Sequence, residues 1–91
     1  MRFIDAAEIE RSLTYPAMVE ALRDAFRGGV TVPKRHHHAI PRRGAAEATF
    51  LLMPAWADDP SGFIGTKLVT VFPDNAARGK ASVLGTYVLM A

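Results

Sequence analysis

Cysteine is absent from all 91 residues, so neither a disulfide framework nor a thiolate zinc site is open to this chain. No apolar run approaches the ~20 residues that a membrane-spanning helix needs. The opening "MRFIDAAEIER" carries charges where a signal peptide requires an apolar stretch. A cytoplasmic protein with no membrane partner is the expectation. Strong net charge is missing too: eleven Lys and Arg against nine Asp and Glu leave +2, too little to point to nucleic acid. There is no internal repeat and no low-complexity tract. No G-x-G-x-x-G occurs, and "GFIGTK" lacks the phosphate-loop spacing and does not lead into a helix. No Ser-His-Asp set or Cys-His pair can be assembled.

What remains is enough for one small domain. Its hydrophobic share of 49% excludes disorder throughout, but a chain this short has a marginal core unless a partner helps. The more informative absence is local. Between Asp24 and Glu47 there is no acid, while Arg27, Lys34, Arg35, Arg42 and Arg43 all fall there. Such a segment suits an anionic ligand such as a carboxylate or phosphate, or else it is a solvated basic loop.

The pattern along the chain is α+β: two N-terminal helices, then an antiparallel β meander. "MRFI" reads as a short strand. Asp5 and Glu8 form a capping box for a first helix with Ala6, Ile9 and Leu13 on one stripe. Thr14 and Pro16 open a second, whose Met18, Leu22, Ala25 and Phe26 predict one buried face. Gly28-Gly29 stops it. Then "VTVPKRHHHAIP" is an extended edge segment, "ATFLLMPAW" and "GFIGTKLVTVFP" are strands, "DNAARGK" is a polar turn, and "ASVLGTYVLMA" is a last strand. The final stretch from Ala81 to Ala91 has no charge and stops within an apolar strand. That would leave an aggregation-prone edge, so the chain is expected to be the front piece of something longer.

Two stretches are candidates for chemistry. In an extended His36-His37-His38, the first and third histidines share one side and His37 faces away. Two imidazoles need further ligands to hold a metal. With no cysteine and no nearby acid, only a distant carboxylate such as Asp58 or Asp74 is left, so no metal site is expected and the histidines read as bystanders. Lys67 is more telling. Phe63, Gly65, Lys67, Val69 and Val71 share one strand face, and Ile64, Thr66, Leu68, Thr70 and Phe72 the other. Both faces are largely apolar, which implies a strand covered on both sides. A lysine there reaches an edge, pairs with an acid or receives an anionic ligand. Gly62 and Gly65 leave room for a ligand or another backbone to come close.

In order, "DAAEIERSL", "DAFRGG", "VPKR", "FLLMPAW", "GTKLVTVFPDN" and "GKASVLGTYVLM" resemble the start of the ornithine cyclodeaminase/mu-crystallin family. The resemblance runs over essentially the whole chain, and "MPA" with "GTKLVTVFPDN" is its specific part. It implies that residues 1–91 are the N-terminal part of a substrate-binding and dimerisation domain, with the family's Rossmann domain absent from this chain. It also implies NAD or NADP, held mainly by residues outside this chain, and a homodimer. The chemistry implied is lyase or oxidoreductase work on small amino acids: ornithine to proline plus ammonia, reduction of cyclic ketimines, or alanine dehydrogenation. By position, Arg35 matches the arginine that holds the substrate carboxylate, and Lys67 matches the lysine that shares the task. Met53 falls where relatives line the pocket. Ser82 matches a hydroxyl residue near the nicotinamide, although Ala81 stands where many relatives have proline. No catalytic residue is carried over, because the acidic residue thought to act on the amine lies beyond Ala91, and the chain by itself is expected to be inactive.

Two other readings stay open. One is a mu-crystallin-like protein that binds a small ligand without catalysis. The other is a stand-alone β-rich module that binds an anion or nucleic acid through Arg35, Arg42 and Arg43, with affinity falling steeply in salt.

Overall fold

The helices begin where the capping chemistry places them. In the computed structural model, which describes residues 1–60 and 62–91, Asp5 caps α1 (Ala6–Ser12), its Oδ1 accepting from the Glu8 N–H at 2.9 Å. The Glu8 carboxylate is taken by Arg2. Thr14 caps α2 (Tyr15–Gly28), Oγ1 accepting from the Ala17 N–H at 3.3 Å, with Pro16 in the first turn. Gly29 ends α2 at φ +86°, a sign of φ that side chains disfavour. "MRFI" is not a strand. Residues 1–5 are irregular, because nothing pairs with them and an unpaired strand has no ladder to hold it.

The β-branched and aromatic runs form five antiparallel strands: β1 (Val30–Thr31), β2 (His36–Ile40), β3 (Ala48–Ala57), β4 (Ile64–Val71) and β5 (Val83–Met90). Both β1 and β2 pair with one edge of β3, β4 pairs with its other edge, and β5 lies outside β4. This is the expected α+β order of helices followed by an antiparallel sheet. The expected polar turn between β4 and β5 is instead a 3-10 helix, Pro73–Arg78, opened by its proline and closed by Gly79 at φ +71°. It returns the chain to the sheet, where the Phe72 N–H donates to the Ser82 carbonyl at 2.8 Å.

The sheet lies open. Neither helix buries a side chain, and Leu22 and Phe26, expected on a buried face, are 50% and 86% exposed. Among the described residues only Ala48 and Gly65 are buried. The accessible surface is 7551 Å², against about 5,200 Å² for a compact protein of this mass. The radius of gyration, 16.2 Å, likewise exceeds the ~12 Å of a compact domain of this length.

Candidate functional site

The site begins with two prolines. Thr31 lies opposite Trp56, and His36 opposite Leu52. Four residues, 32 to 35, therefore face three, 53 to 55, so the β1–β2 edge carries one residue too many. Pro33 and Pro54 stand at this point and have no N–H to give a ladder. The result is a bulge, a feature that re-aims side chains where it breaks a strand. Residues 32 to 35 take no part in the ladder, and an open hollow of about 590 Å³ lies there, lined by Val32, Pro33, Lys34, Arg35, His37, Met53 and Pro54. That is the size of a small-molecule site.

Register carries the site across the sheet. Arg35 directly precedes β2 and shares the hollow with Met53; Met53 pairs with Lys67, and Lys67 pairs with Tyr87. Alternation puts Met53, Lys67 and Tyr87 on one face, which also carries His37, Leu51, Ala55, Gly65 and Val69. The structure thus brings Arg35 and Met53 into one hollow and sets Lys67 in the adjoining strand. Arg35 and Lys67 are exposed and Met53 is half-buried. Among the described residues no ion pair engages Arg35 or Lys67, and the hollow has no acid in its lining. A guanidinium and an ammonium without counter-ions suit a carboxylate, the first in bidentate fashion and the second as a point charge.

Two expectations change here. The strand around Lys67 is not covered on both sides, since among the described residues no layer lies over the sheet, and Lys67 reaches solvent directly. The glycines do not wait for a ligand either. Gly65 is covered by the Tyr87 ring, whose Cε1 and Cζ would stand 2.7 Å from a Cβ built there. Gly62 serves the β3–β4 turn, its N–H donating to the Asp59 carbonyl at 2.8 Å.

The histidines alternate as expected. His36 and His38 share a side with ring centroids 5.6 Å apart, while His37 faces the other way and lines the hollow. Sequence reasoning set all three aside, although the same alternation singles out His37. Lys34, one of the cations of the acid-free segment, lines the hollow beside Arg35. Asp58 accepts from the Thr31 hydroxyl at 2.5 Å, and Asp74 from the Ala46 N–H at 2.8 Å. Among the described residues no three His, Cys, Asp or Glu side chains are grouped to hold a metal. Ser82 is not with the others. It is half-buried immediately before β5, about 17 Å from Tyr87 along the chain at the usual rise per residue of a strand.

No protein-family model matches this chain. It is 33% identical over 91 residues to an uncharacterized protein of Schizosaccharomyces pombe, covering 97% of this chain and 27% of that protein. It is 28% identical over 79 residues to a Delta(1)-pyrroline-2-carboxylate reductase of Colwellia psychrerythraea, covering 86% of this chain and 24% of the reductase. Against Protein SAR DEFICIENT 4 of Arabidopsis thaliana it is 27% identical over 93 aligned positions, 98% of this chain and 27% of that one. The chain spans about a quarter of the length of these curated relatives. No helix among the described residues is long and apolar enough to cross a membrane.

Proposed function

We propose that this chain supplies the N-terminal part of the substrate-binding and dimerisation domain of an NAD(P)-dependent oxidoreductase of the ornithine cyclodeaminase/mu-crystallin kind. Its substrate is a small amino acid or cyclic imino acid. The observation that carries the reading is the acid-free hollow at the bulge, where Arg35 stands with Met53 and Lys67 lies one strand over. Similarity to a reductase named for pyrroline-2-carboxylate, a carboxylate on a cyclic imine, supports it. In this reading Arg35 grips the carboxylate through two hydrogen bonds, Lys67 adds a second positive charge, and Met53 forms the apolar floor.

When bound, the dinucleotide supplies or accepts a hydride. The residues described do not form a dinucleotide site by themselves: Ser82 stands well away from Lys67, and no glycine-rich turn leads from a strand into a helix. Ser82 is assigned to the neighbourhood of the nicotinamide, and the rest of the cofactor's grip to residues outside this chain. The open sheet belongs to the same proposal. Its excess surface of about 2,300 Å² over a compact protein is on the scale of a large interface, covered by the remainder of the subunit and by a second copy in a homodimer. The protein is assigned to the cytoplasm.

The test is the intact gene product with NADH or NADPH, offered pyrroline-2-carboxylate, its six-membered homologue and ornithine. Oxidation of the nicotinamide that depends on an imino acid is the expected result. Imino-acid binding without turnover would move the protein to the ligand-binding reading. Neither binding nor turnover with any of the three would overturn the proposal.

A further inference from the structure

We infer that Tyr87, two strands from Met53 on the same face of the sheet and outside the lining of the hollow, is a specificity-determining residue for a ligand held there, closing the end of the ligand that lies away from its carboxylate. The inference rests on the carboxylate-binding reading of Arg35 and Lys67.

It starts from a glycine in an unfavourable place. Gly65 stands inside an eight-residue strand, where glycine has no side chain to pack and is tolerated when something else needs the space. That something is the Tyr87 ring. Tyr87 pairs with Lys67 across β4 and β5, yet its ring does not lie over Lys67. It leans along the sheet and covers Gly65, the residue two positions before the lysine. Gly65 is buried as a consequence, while Tyr87 remains 59% exposed. The hydroxyl is the part of Tyr87 that reaches furthest across the strand, to the place where a Gly65 Cβ would be. Gly65 in turn pairs with Ala55, so two of the smallest side chains lie beside this hydroxyl. Among the described residues no hydrogen bond occupies it.

The geometry then orders the ligand. Arg35 shares the hollow with Met53, and Lys67 pairs with Met53 from the next strand, which places a carboxylate over Met53. Ala55 and Gly65 form the next row on the same face, one strand repeat of about 7 Å further along. A ring joined to the carboxylate projects over this row and meets the Tyr87 hydroxyl within about the width of a five- or six-membered ring. Polar contact at one end and a phenol at the other make this stretch of the sheet face, from the hollow to Tyr87, a gauge of ring size. Each methylene gained or lost against such a wall changes discrimination by about 10-fold or more.

The experiment compares kcat/KM for pyrroline-2-carboxylate and its six-membered homologue in the intact protein, in Tyr87→Phe, Tyr87→Ala and Lys67→Ala. Tyr87→Ala is expected to shift the ratio about 10-fold toward the larger ring, and Tyr87→Phe by a smaller factor in the same direction. Lys67→Ala is expected to lower both values together and leave the ratio where it was. Tyr87→Phe keeps the ring over Gly65, so its melting temperature should match that of the parent and the shift is then not a folding effect. An unchanged ratio in both Tyr87 variants, with both activities lost in Lys67→Ala, would sink this inference and leave the carboxylate reading standing. Normal affinity for both imino acids in Lys67→Ala would sink the carboxylate reading, and this inference with it.

Discussion

Arg35 and Arg42 come from the same acid-free basic stretch, yet the fold puts them to different uses. Arg42 is half-buried, with its guanidinium carbon 5.0 Å from the centre of the Phe72 ring and Nη1 shut away from solvent. Arg35 is exposed at the edge of the hollow and meets no acid among the described residues. Composition treats the two as equivalent. What separates them is the bulge: Pro33 and Pro54 interrupt the ladder beside Arg35, whereas Arg42 follows β2 into a turn that folds back on the sheet. An arginine next to a broken ladder is free to meet a ligand, and one that continues past an intact ladder packs against its own protein.

The comparison breaks most sharply if the two arginines are exchanged in their effects. Arg35→Ala in the intact protein should raise KM for a carboxylate substrate by about 30- to 100-fold, the scale of a lost charge-assisted pair, without moving the melting temperature. Arg42→Ala should do the reverse. It removes a stacked cation and the stem that covers the ring, costing about 1–2 kcal/mol of stability, with KM unchanged. Urea unfolding followed alongside steady-state kinetics reads both. A loss of affinity in Arg42→Ala, or a loss of stability alone in Arg35→Ala, would mean that the bulge does not divide structural from ligand-binding charge.

How far the sequence could be read follows the range of the interactions involved. The helix caps at Asp5 and Thr14 and the three long strands were legible because each depends on neighbours a few residues away. Local pattern fails where a partner decides the outcome. "MRFI" has the composition of a strand but no strand beside it, and a polar segment that begins with proline winds into a 3-10 helix. The apolar faces around Lys67 promised two covering layers, yet periodicity says only that a face is apolar, and the sheet lies open on both sides. The residues alone single out Lys67 in its apolar strand and Arg35 within the acid-free segment, the family resemblance adds their roles and Met53, and the fold adds the hollow that joins Arg35 to Met53 and the register that pairs Met53 with Lys67. The place of the Tyr87 ring over Gly65 is not legible in the sequence, since the two residues are far apart in the chain and meet only through the pairing of β4 with β5. The prolines were in plain view, but only the register of β1 and β2 on β3 shows that they make a bulge.

The finest test of the comparison concerns the neighbour of Arg35. Lys34 is the extra residue's companion in the bulge and lines the same hollow, so its charge lies within reach of any carboxylate held there. An exposed ammonium that makes no direct hydrogen bond acts through a screened field and changes affinity modestly. Lys34→Gln should therefore raise KM by about 2- to 5-fold at low salt, and the difference from the parent should shrink as salt is added. The Arg35→Ala defect should persist at high salt, because a bidentate contact is made at hydrogen-bond distance and is little screened. If the two variants fade together in salt, the hollow attracts anions through its general charge, and Arg35 holds no privileged place in it.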